Sequence, residues 1–167
     1  MTAAGVPVRK VFLEPGDVYF GSGAARVETV LGSCVSIVLN NPHTGYAAMC
    51  HCMLPRWPGK NVPQAIDRAL YRYVDTCIPR MLDVIEAHGG IASLEVRLFG
   101  GADMFVSSMR RTVGAENIRV AAELLNKRGL VVLQSDTGGT SGRKVRFHTW
   151  SGEVLVRRIQ SFAERSK

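Results

Sequence analysis

Cysteine and histidine side chains concentrate between residues 31 and 55, where the sequence reads LGSCVSIVLNNPHTGYAAMCHCMLP. Such side chains can ligate a metal, form a disulfide, act as a nucleophile with its base, or fill a core. The stretch holds three of the four cysteines of the chain, Cys34, Cys50 and Cys52, together with His51. Each of these uses requires a different arrangement of the side chains, so their spacing helps to choose among them.

The spacing of Cys50, His51 and Cys52 argues against a zinc site. Adjacent residues on a strand point to opposite faces, so the two cysteines share one face and His51 takes the other. The CxxC spacing of structural zinc sites is absent from the sequence. We therefore predict no metal, and we interpret Cys50, Cys52 and Cys77 as small apolar residues of the core. The remaining histidines have no evident partner in the sequence and are interpreted as structural or solvated: His43, His88 and His148.

Cys34 and His51 can form a catalytic pair if their strands pair as a hairpin. A hairpin centred between Pro42 and His43 places Cys34 directly opposite His51. Side chains opposed in this way have Cβ atoms about 4.5–5.5 Å apart, close enough for a thiolate–imidazolium pair. Such a pair lowers the cysteine pKa and makes the thiolate available. Gly32 and Ser33 leave the preceding backbone uncrowded, so N–H groups there can receive an oxyanion.

Hydrophobic periodicity predicts strands joined by turns, and two helices. Continuous or alternating apolar runs predict strands at 26–31, 35–39, 46–53, 93–99, 130–134, 143–150 and 153–159, with 130–134 buried. Apolar residues at three-four spacing predict helices from about Val62 to His88 and from about Ala115 to Arg128. Packed layers of these elements make one α+β domain over residues 1–167.

Capping residues suggest where the first helix begins and ends. Asn61 can cap its start, Pro63 suits a first turn, and Gly89-Gly90 ends it. Pro79 should kink this helix, because proline removes one internal hydrogen bond.

The overall composition points to a cytoplasmic globular protein. The chain has 167 residues, of which 46% are hydrophobic, and no apolar run approaches the roughly 20 residues of a membrane span. Charged residues interrupt the N-terminal segment, so no signal-peptide core is apparent and the thiols are expected to be reduced. The net charge is +7, but the basic residues are scattered without interleaved aromatics. We therefore favour an acidic protein partner over nucleic acid.

Four segments of the chain carry a specific pattern: ETVLGSCVSIVLNNP, MCHCMLP, RLFGGADMF and SDTGGTSGRKVRFHTWSGEVLVRRI. Together they resemble the CheD family, the chemoreceptor glutamine deamidases of bacterial chemotaxis. The resemblance implies a layered α/β sandwich, with Cys34 as nucleophile and His51 as its base. The family also places a threonine five or six residues before the cysteine. Thr29 lies five before and is favoured, whereas Glu28, six before, is the alternative that could orient the imidazole.

The resemblance also implies a substrate and a reaction. The substrate would be a glutamine on the cytoplasmic region of a methyl-accepting chemoreceptor, converted to glutamate through a thioester at Cys34. Backbone N–H groups around Ser33 and Cys34, next to the uncrowded Gly32, would hold the oxyanion, and water suffices, so no cofactor is expected. The FGGA turn, with Gly100, Gly101 and Ala102, would let backbone pass close to the site or to a substrate helix.

Two other functions fit the same resemblance. Family members can pair with CheC, a phosphatase of the response regulator, so the chain could act as an adaptor. The same thiolate could also hydrolyse receptor methyl esters, because amide and ester reach the same thioester.

Overall fold

The computed structural model describes residue 5 and residues 7–63, 68–103 and 111–159. Within these residues the chain forms nine strands, one 3-10 helix and two α-helices. The strands are β1 Arg9–Phe12, β2 Val18–Ser22, β3 Ala25–Leu31, β4 Val35–Asn40, β5 Tyr46–Cys50, β6 Glu95–Gly100, β7 Val132–Thr137, β8 Gly142–His148 and β9 Glu153–Ile159. The 3-10 helix is Arg68–Arg72, and the α-helices are α1 Val74–Ala87 and α2 Val113–Lys127.

The strands form two sheets that face each other. One has four strands in the order β1-β3-β8-β9, and the other has five in the order β2-β5-β4-β6-β7. Pairing is antiparallel except between β1 and β3 and between β6 and β7. One apolar cluster lies between the sheets, and a second lies between the five-stranded sheet and the two helices. The predicted layered α+β architecture is confirmed.

Strand β4 lies at the centre of this arrangement, and all six of its residues are buried. Ile37 and Leu39 pack toward the helices, whereas Val38 packs between the sheets. A strand covered on both faces reads as a continuous apolar run, which explains the VSIVL sequence. The residue immediately before β4 is Cys34, so the core holds one side of the candidate site in place.

The first helix begins later than its apolar pattern predicted. Tyr73 is extended, and Leu54 pairs with it in a parallel bridge. Helix α1 can therefore start only at Val74, and the start predicted at Val62 is wrong. The long-range pairing of Leu54 with Tyr73 has overridden a local helical pattern. Residues 64–67 of the predicted helix lie outside the described residues. The predicted end is confirmed, because Gly89 and Gly90 both have positive φ.

The structure also tests the predicted second helix and the remaining predicted strands. Helix α2 lies close to its predicted range, and the Thr112 hydroxyl caps it by accepting from the N–H of Ala115. The strand predicted as buried at 130–134 is instead the edge strand β7, in which Leu133 is 62% exposed, and Val131 immediately before it is 73% exposed. Strands β1 and β2 were not predicted at all. Among the described residues, no helix is both long and apolar enough to cross a membrane.

Strand β3 provides a test of the two-sheet packing. Val27 is fully buried between the sheets, whereas Val30 on the same strand is 43% exposed. We expect Val27→Ala to lower the free energy of unfolding by about 2–3 kcal/mol, because it removes two buried carbon atoms and leaves a cavity. The control Val30→Ala should change it by less than about 0.5 kcal/mol. Urea denaturation measures both, and equal losses would contradict the assigned faces.

Candidate active site

The β4–β5 hairpin pairs in a different register from the one that the sequence suggested. Val38 pairs with Met49, and the bridge from Val35 to Cys52 continues the same register. Cys34 therefore lies opposite Met53, and its predicted direct pairing with His51 is wrong. The two residues are instead diagonal neighbours, which are typically about 7–8 Å apart in an antiparallel pair.

The loop of this hairpin explains the shift. The side chain of Asn41 accepts hydrogen bonds from the N–H groups of His43 and Thr44, at 3.0 and 3.2 Å. Gly45 has a φ of 68° and donates to the Asn41 carbonyl at 2.9 Å. This arrangement centres the hairpin one residue later than predicted, and the pairing register moves by two. Because the shift is even, Cys34 and His51 still share the face that points between the sheets.

Thr29 reaches His51 from the opposite sheet. Its Oγ1 lies 2.7 Å from the Nδ1 of His51, and both residues are buried, at 0% and 3% exposed. The Thr29 hydroxyl also donates to the carbonyl of Leu13, at 2.7 Å. The same carbonyl lies 3.3 Å from His51 Nδ1. These contacts hold the imidazole through Nδ1 and do not involve Nε2 on the other side of the ring.

These contacts assign the tautomer of His51. A hydroxyl has one hydrogen, and that of Thr29 goes to the Leu13 carbonyl, so Oγ1 must accept from the ring. The proton therefore resides on Nδ1, where the Leu13 carbonyl can also accept it. Nε2 keeps its lone pair and can act as a base. Leu13 contributes only its backbone, so its side chain gave no sequence signal for this role.

Glu28 points away from His51. Its carboxylate lies on the outer face of the four-stranded sheet, 2.7 Å from Arg146, 3.5 Å from Lys144 and 3.6 Å from Arg26. Burial raises the pKa of Glu28, but the Arg146 hydrogen bond and the three cations together bring it below its usual value. Strand alternation thus separates Thr29 from Glu28, and of these two residues it is Thr29 that contacts the imidazole.

The resting thiol and imidazole are both favoured in their neutral forms. Burial raises the pKa of the Cys34 thiol, and its own backbone N–H only partly opposes this. Burial lowers the pKa of His51, against the opposing effect of the Leu13 carbonyl. The expected lowering of the Cys34 pKa is therefore wrong. A neutral pair would require proton transfer during the reaction rather than before it.

The FGGA turn packs beneath Cys34. Gly100 has a φ of 100°, and a Cβ there would lie 2.2 Å from the carbonyl oxygen of Cys34. Gly101 donates to that carbonyl at 2.8 Å, and Ala102 donates to the carbonyl of Gly32 at 2.9 Å. All three residues of the turn are buried. They lie against the Gly32–Cys34 backbone rather than on the surface.

Asn117 was missed by the sequence analysis. It lies on the buried face of α2, is fully buried, and its Nδ2 donates to the carbonyls of Ser33 and Met53 at 2.9 and 3.0 Å. Its Oδ1 is buried with no hydrogen-bond partner among the described residues. An unpaired buried acceptor costs about 1–3 kcal/mol. The available signal was a polar residue on an otherwise apolar helical stripe that includes Val120 and Ala121.

Three buried thiols lie on the other face of the five-stranded sheet. The Sγ atoms of Cys50, Cys52 and Cys77 are all within 4.8 Å of one another, in the cluster packed against the helices. Sulfur ligands at this spacing could hold a soft metal ion. The spacing analysis did not foresee the cluster, because Cys77 comes from α1. As strand alternation predicted, Cys50 and Cys52 face away from His51.

Comparison with known proteins identifies the family. The sequence model described as "CheD chemotactic sensory transduction" matches residues 53–158. A protein of Geobacter sulfurreducens, named probable chemoreceptor glutamine deamidase CheD 2, is 40% identical over 95% of this chain and 96% of its own. The chain belongs to the CheD family.

Other members of the CheD family show similar agreement. Proteins of Maridesulfovibrio salexigens and Rhodospirillum rubrum, both named probable chemoreceptor glutamine deamidase CheD, are each 38% identical to this chain. The alignments cover 92% and 91% of this chain, and 94% and 84% of the relatives. The family model begins at Met53, after Cys34 and His51. The Geobacter alignment covers too much of the chain to omit those residues.

The raised pKa of Cys34 has a measurable consequence. We expect alkylation of Cys34 by iodoacetamide to accelerate through neutral pH, with a midpoint above the usual thiol pKa, because burial disfavours the thiolate. Peptide mass spectrometry over a pH series would measure the rate at Cys34. The other three cysteines are buried and should label far more slowly.

His51→Ala is the matched variant for this titration. Removal of an imidazolium would raise the midpoint, whereas removal of a neutral imidazole should leave it nearly unchanged. A wild-type rate that has already levelled off at neutral pH would contradict the neutral resting pair.

Proposed function

We propose that this chain deamidates glutamine side chains of chemoreceptors, with Cys34 as nucleophile, His51 as base and Thr29 as the residue that orients the base. One observation carries the proposal: Thr29 holds His51 Nδ1 at 2.7 Å, on the face of the sheet that Cys34 shares. A nucleophile, a base and a third group that fixes the base are the components of covalent hydrolysis. The names of the relatives supply the substrate class.

The reaction would begin with a proton transfer. His51 Nε2 would take the thiol proton as Cys34 Sγ attacks the amide carbon, giving an anionic tetrahedral intermediate. The imidazolium would then give that proton to the departing nitrogen, which leaves as ammonia, and a thioester would remain. Neutral His51 would next activate a water molecule, whose attack releases glutamate and returns the proton to the thiol. Amide and water are thus converted to acid and ammonia, and no cofactor is required.

The contacts of His51 suit both of its protonation states. In the neutral ring, the N–H on Nδ1 donates toward Thr29 and Leu13, which leaves Nε2 free as a base. In the imidazolium the same two acceptors remain in place, and they stabilise the added charge. The ring therefore need not rotate between its acid and base roles.

The oxyanion of the intermediate would be bound by backbone N–H groups at Ser33 and Cys34. Neither N–H donates to a carbonyl elsewhere in the described residues. One such donor is typically worth about 2.7–4 kcal/mol in the transition state. Because Gly100, Gly101 and Ala102 are buried against the Gly32–Cys34 backbone, we assign them to fixing that backbone rather than to contacting substrate.

The proposed setting follows from the substrate. A chemoreceptor presents its modifiable glutamines on its cytoplasmic region, so the chain would act in the cytoplasm, with the receptor as its principal partner. Pairing with CheC remains an expectation from the family resemblance.

The thiol could act on a glutamine amide or on a receptor methyl ester, and intact-mass analysis of a receptor fragment separates these two reactions. Deamidation replaces NH2 by OH, whereas ester hydrolysis removes a methylene.

Cys34→Ala tests the covalent mechanism. We expect the variant to remain folded and to lose all detectable conversion of glutamine to glutamate, because no other described thiol reaches this face of the sheet. The assay is mass spectrometry of the receptor fragment, with circular dichroism to confirm the fold. The control Cys77→Ala, on α1, should retain activity in proportion to its folded fraction. Residual deamidation by folded Cys34→Ala would rule out the nucleophile.

Thr29→Ala and Glu28→Gln test which residue orients His51. Thr29→Ala should lower single-turnover deamidation at least about tenfold, a loss of roughly 1.4 kcal/mol in transition-state stabilisation, because Nδ1 loses its closest partner. Glu28→Gln should change the rate by less than about threefold, since its carboxylate pairs with Arg146 on the outer face. The opposite ranking would transfer the orienting role to Glu28.

A further inference from the structure

Asn117 joins two backbone segments on either side of Cys34. Its Nδ2 donates to the carbonyl of Ser33, the residue before Cys34, at 2.9 Å. It also donates at 3.0 Å to the carbonyl of Met53, the residue that the hairpin register places opposite Cys34. Both bonds come from one planar amide on α2, so a rigid helix holds both segments.

The bond to Ser33 determines the direction of the next N–H group. The carbonyl of Ser33 and the N–H of Cys34 belong to one peptide unit, which is trans, so they point in opposite directions. Because Asn117 holds the carbonyl toward α2, the N–H of Cys34 points away from α2. It interacts with the Cys34 sulfur and donates to no other group in the described part of the chain. An N–H aimed beside the nucleophilic sulfur is where an oxyanion would form.

We propose that Asn117 is a positioning residue that orients the Cys34 N–H for oxyanion binding. This inference rests on the proposed function, because the oxyanion arises in that chemistry. Asn117 itself contacts neither substrate nor the reacting atoms; it acts through the Ser33–Cys34 peptide.

The chemistry of this position requires a carboxamide. Two carbonyl oxygens must be satisfied by two N–H donors on one short side chain, which asparagine provides and aspartate, serine and alanine do not. The two carbonyls orient the amide through Nδ2, and its buried Oδ1 has no partner among the described residues. Aspartate has nearly the same shape but would direct acceptors at both carbonyls.

Two reactions of Cys34 separate orientation from general damage to the site. Acylation by p-nitrophenyl acetate forms the sulfur–carbon bond and expels p-nitrophenolate through a tetrahedral oxyanion. Alkylation by iodoacetamide displaces iodide directly and forms no oxyanion. Neither reaction needs a receptor. Both rates would be measured at a pH where the thiolate is fully formed, with Cys34→Ala subtracted as background and deamidation of the receptor fragment measured in parallel.

For Asn117→Ala, we expect acylation and the deamidation kcat to fall at least about tenfold, while alkylation and KM stay within about threefold. Asn117→Asp should lose at least as much acylation. The matched control is Asn126→Ala, which changes an exposed asparagine of the same helix and should leave every rate unchanged. Absence of receptor deamidation in the wild type would refute the proposed function, yet the acylation-to-alkylation ratio would still test Asn117.

Two results would overturn the inference. One is an acylation-to-alkylation ratio in folded Asn117→Ala that equals the wild-type ratio, whether both rates persist or fall together. The other is failure of both Asn117→Ala and Asn117→Ser to fold, since Asn117 would then serve stability alone.

Discussion

The hydrogen bond between Thr29 and His51 is the interaction on which the rest of the site depends. It joins the inner faces of two sheets that pack about 10 Å apart, so two side chains must meet midway. Thr29 points inward because side chains alternate between the two faces of β3. Its partner on β8, Val145, also packs between the sheets. His51 stays in place because its backbone bonds Asp17 and Gly16, in the loop between β1 and β2. The site therefore exists only when both sheets and this loop are formed.

The proposed nucleophile, Cys34, lies where the chain passes from one sheet to the other. Strand β3 ends at Leu31 in the four-stranded sheet, and β4 begins at Val35 in the five-stranded sheet. Backbone in this crossing belongs to neither ladder, so the N–H of Cys34 is not consumed by strand pairing. Hydrogen bonds from Gly101, Ala102 and Asn117 to its carbonyls hold it instead. The crossing thus combines a fixed backbone with N–H groups that donate to no carbonyl in the described part of the chain, as oxyanion binding requires.

Sequence reasoning recovered the layers and the strand faces better than the boundaries. The even-numbered shift in the β4–β5 register left His51 on the face of Cys34, because strand faces depend only on whether a shift is even. The start of α1 could not be predicted, since a long-range bridge from Leu54 to Tyr73 sets it. Leu13 and Asn117 were not predicted as residues of the site, for different reasons. Leu13 acts through its backbone carbonyl, and Asn117 comes close to Cys34 only once α2 has packed on the sheet.

The same packing that builds the site also sets its protonation states. Burial makes the thiolate of Cys34 and the imidazolium of His51 unfavourable at rest, so the charged pair would form only as substrate is attacked. The contacts that stabilise developing charge are already in place: acceptors at His51 Nδ1, and a Cys34 N–H that donates to no carbonyl in the described residues. Such groups are oriented before the charge develops, so they stabilise the transition state more than the resting state. A site of this kind needs no strong resting nucleophile, because Asn117, Gly101 and Ala102 already hold the backbone around Cys34 in place.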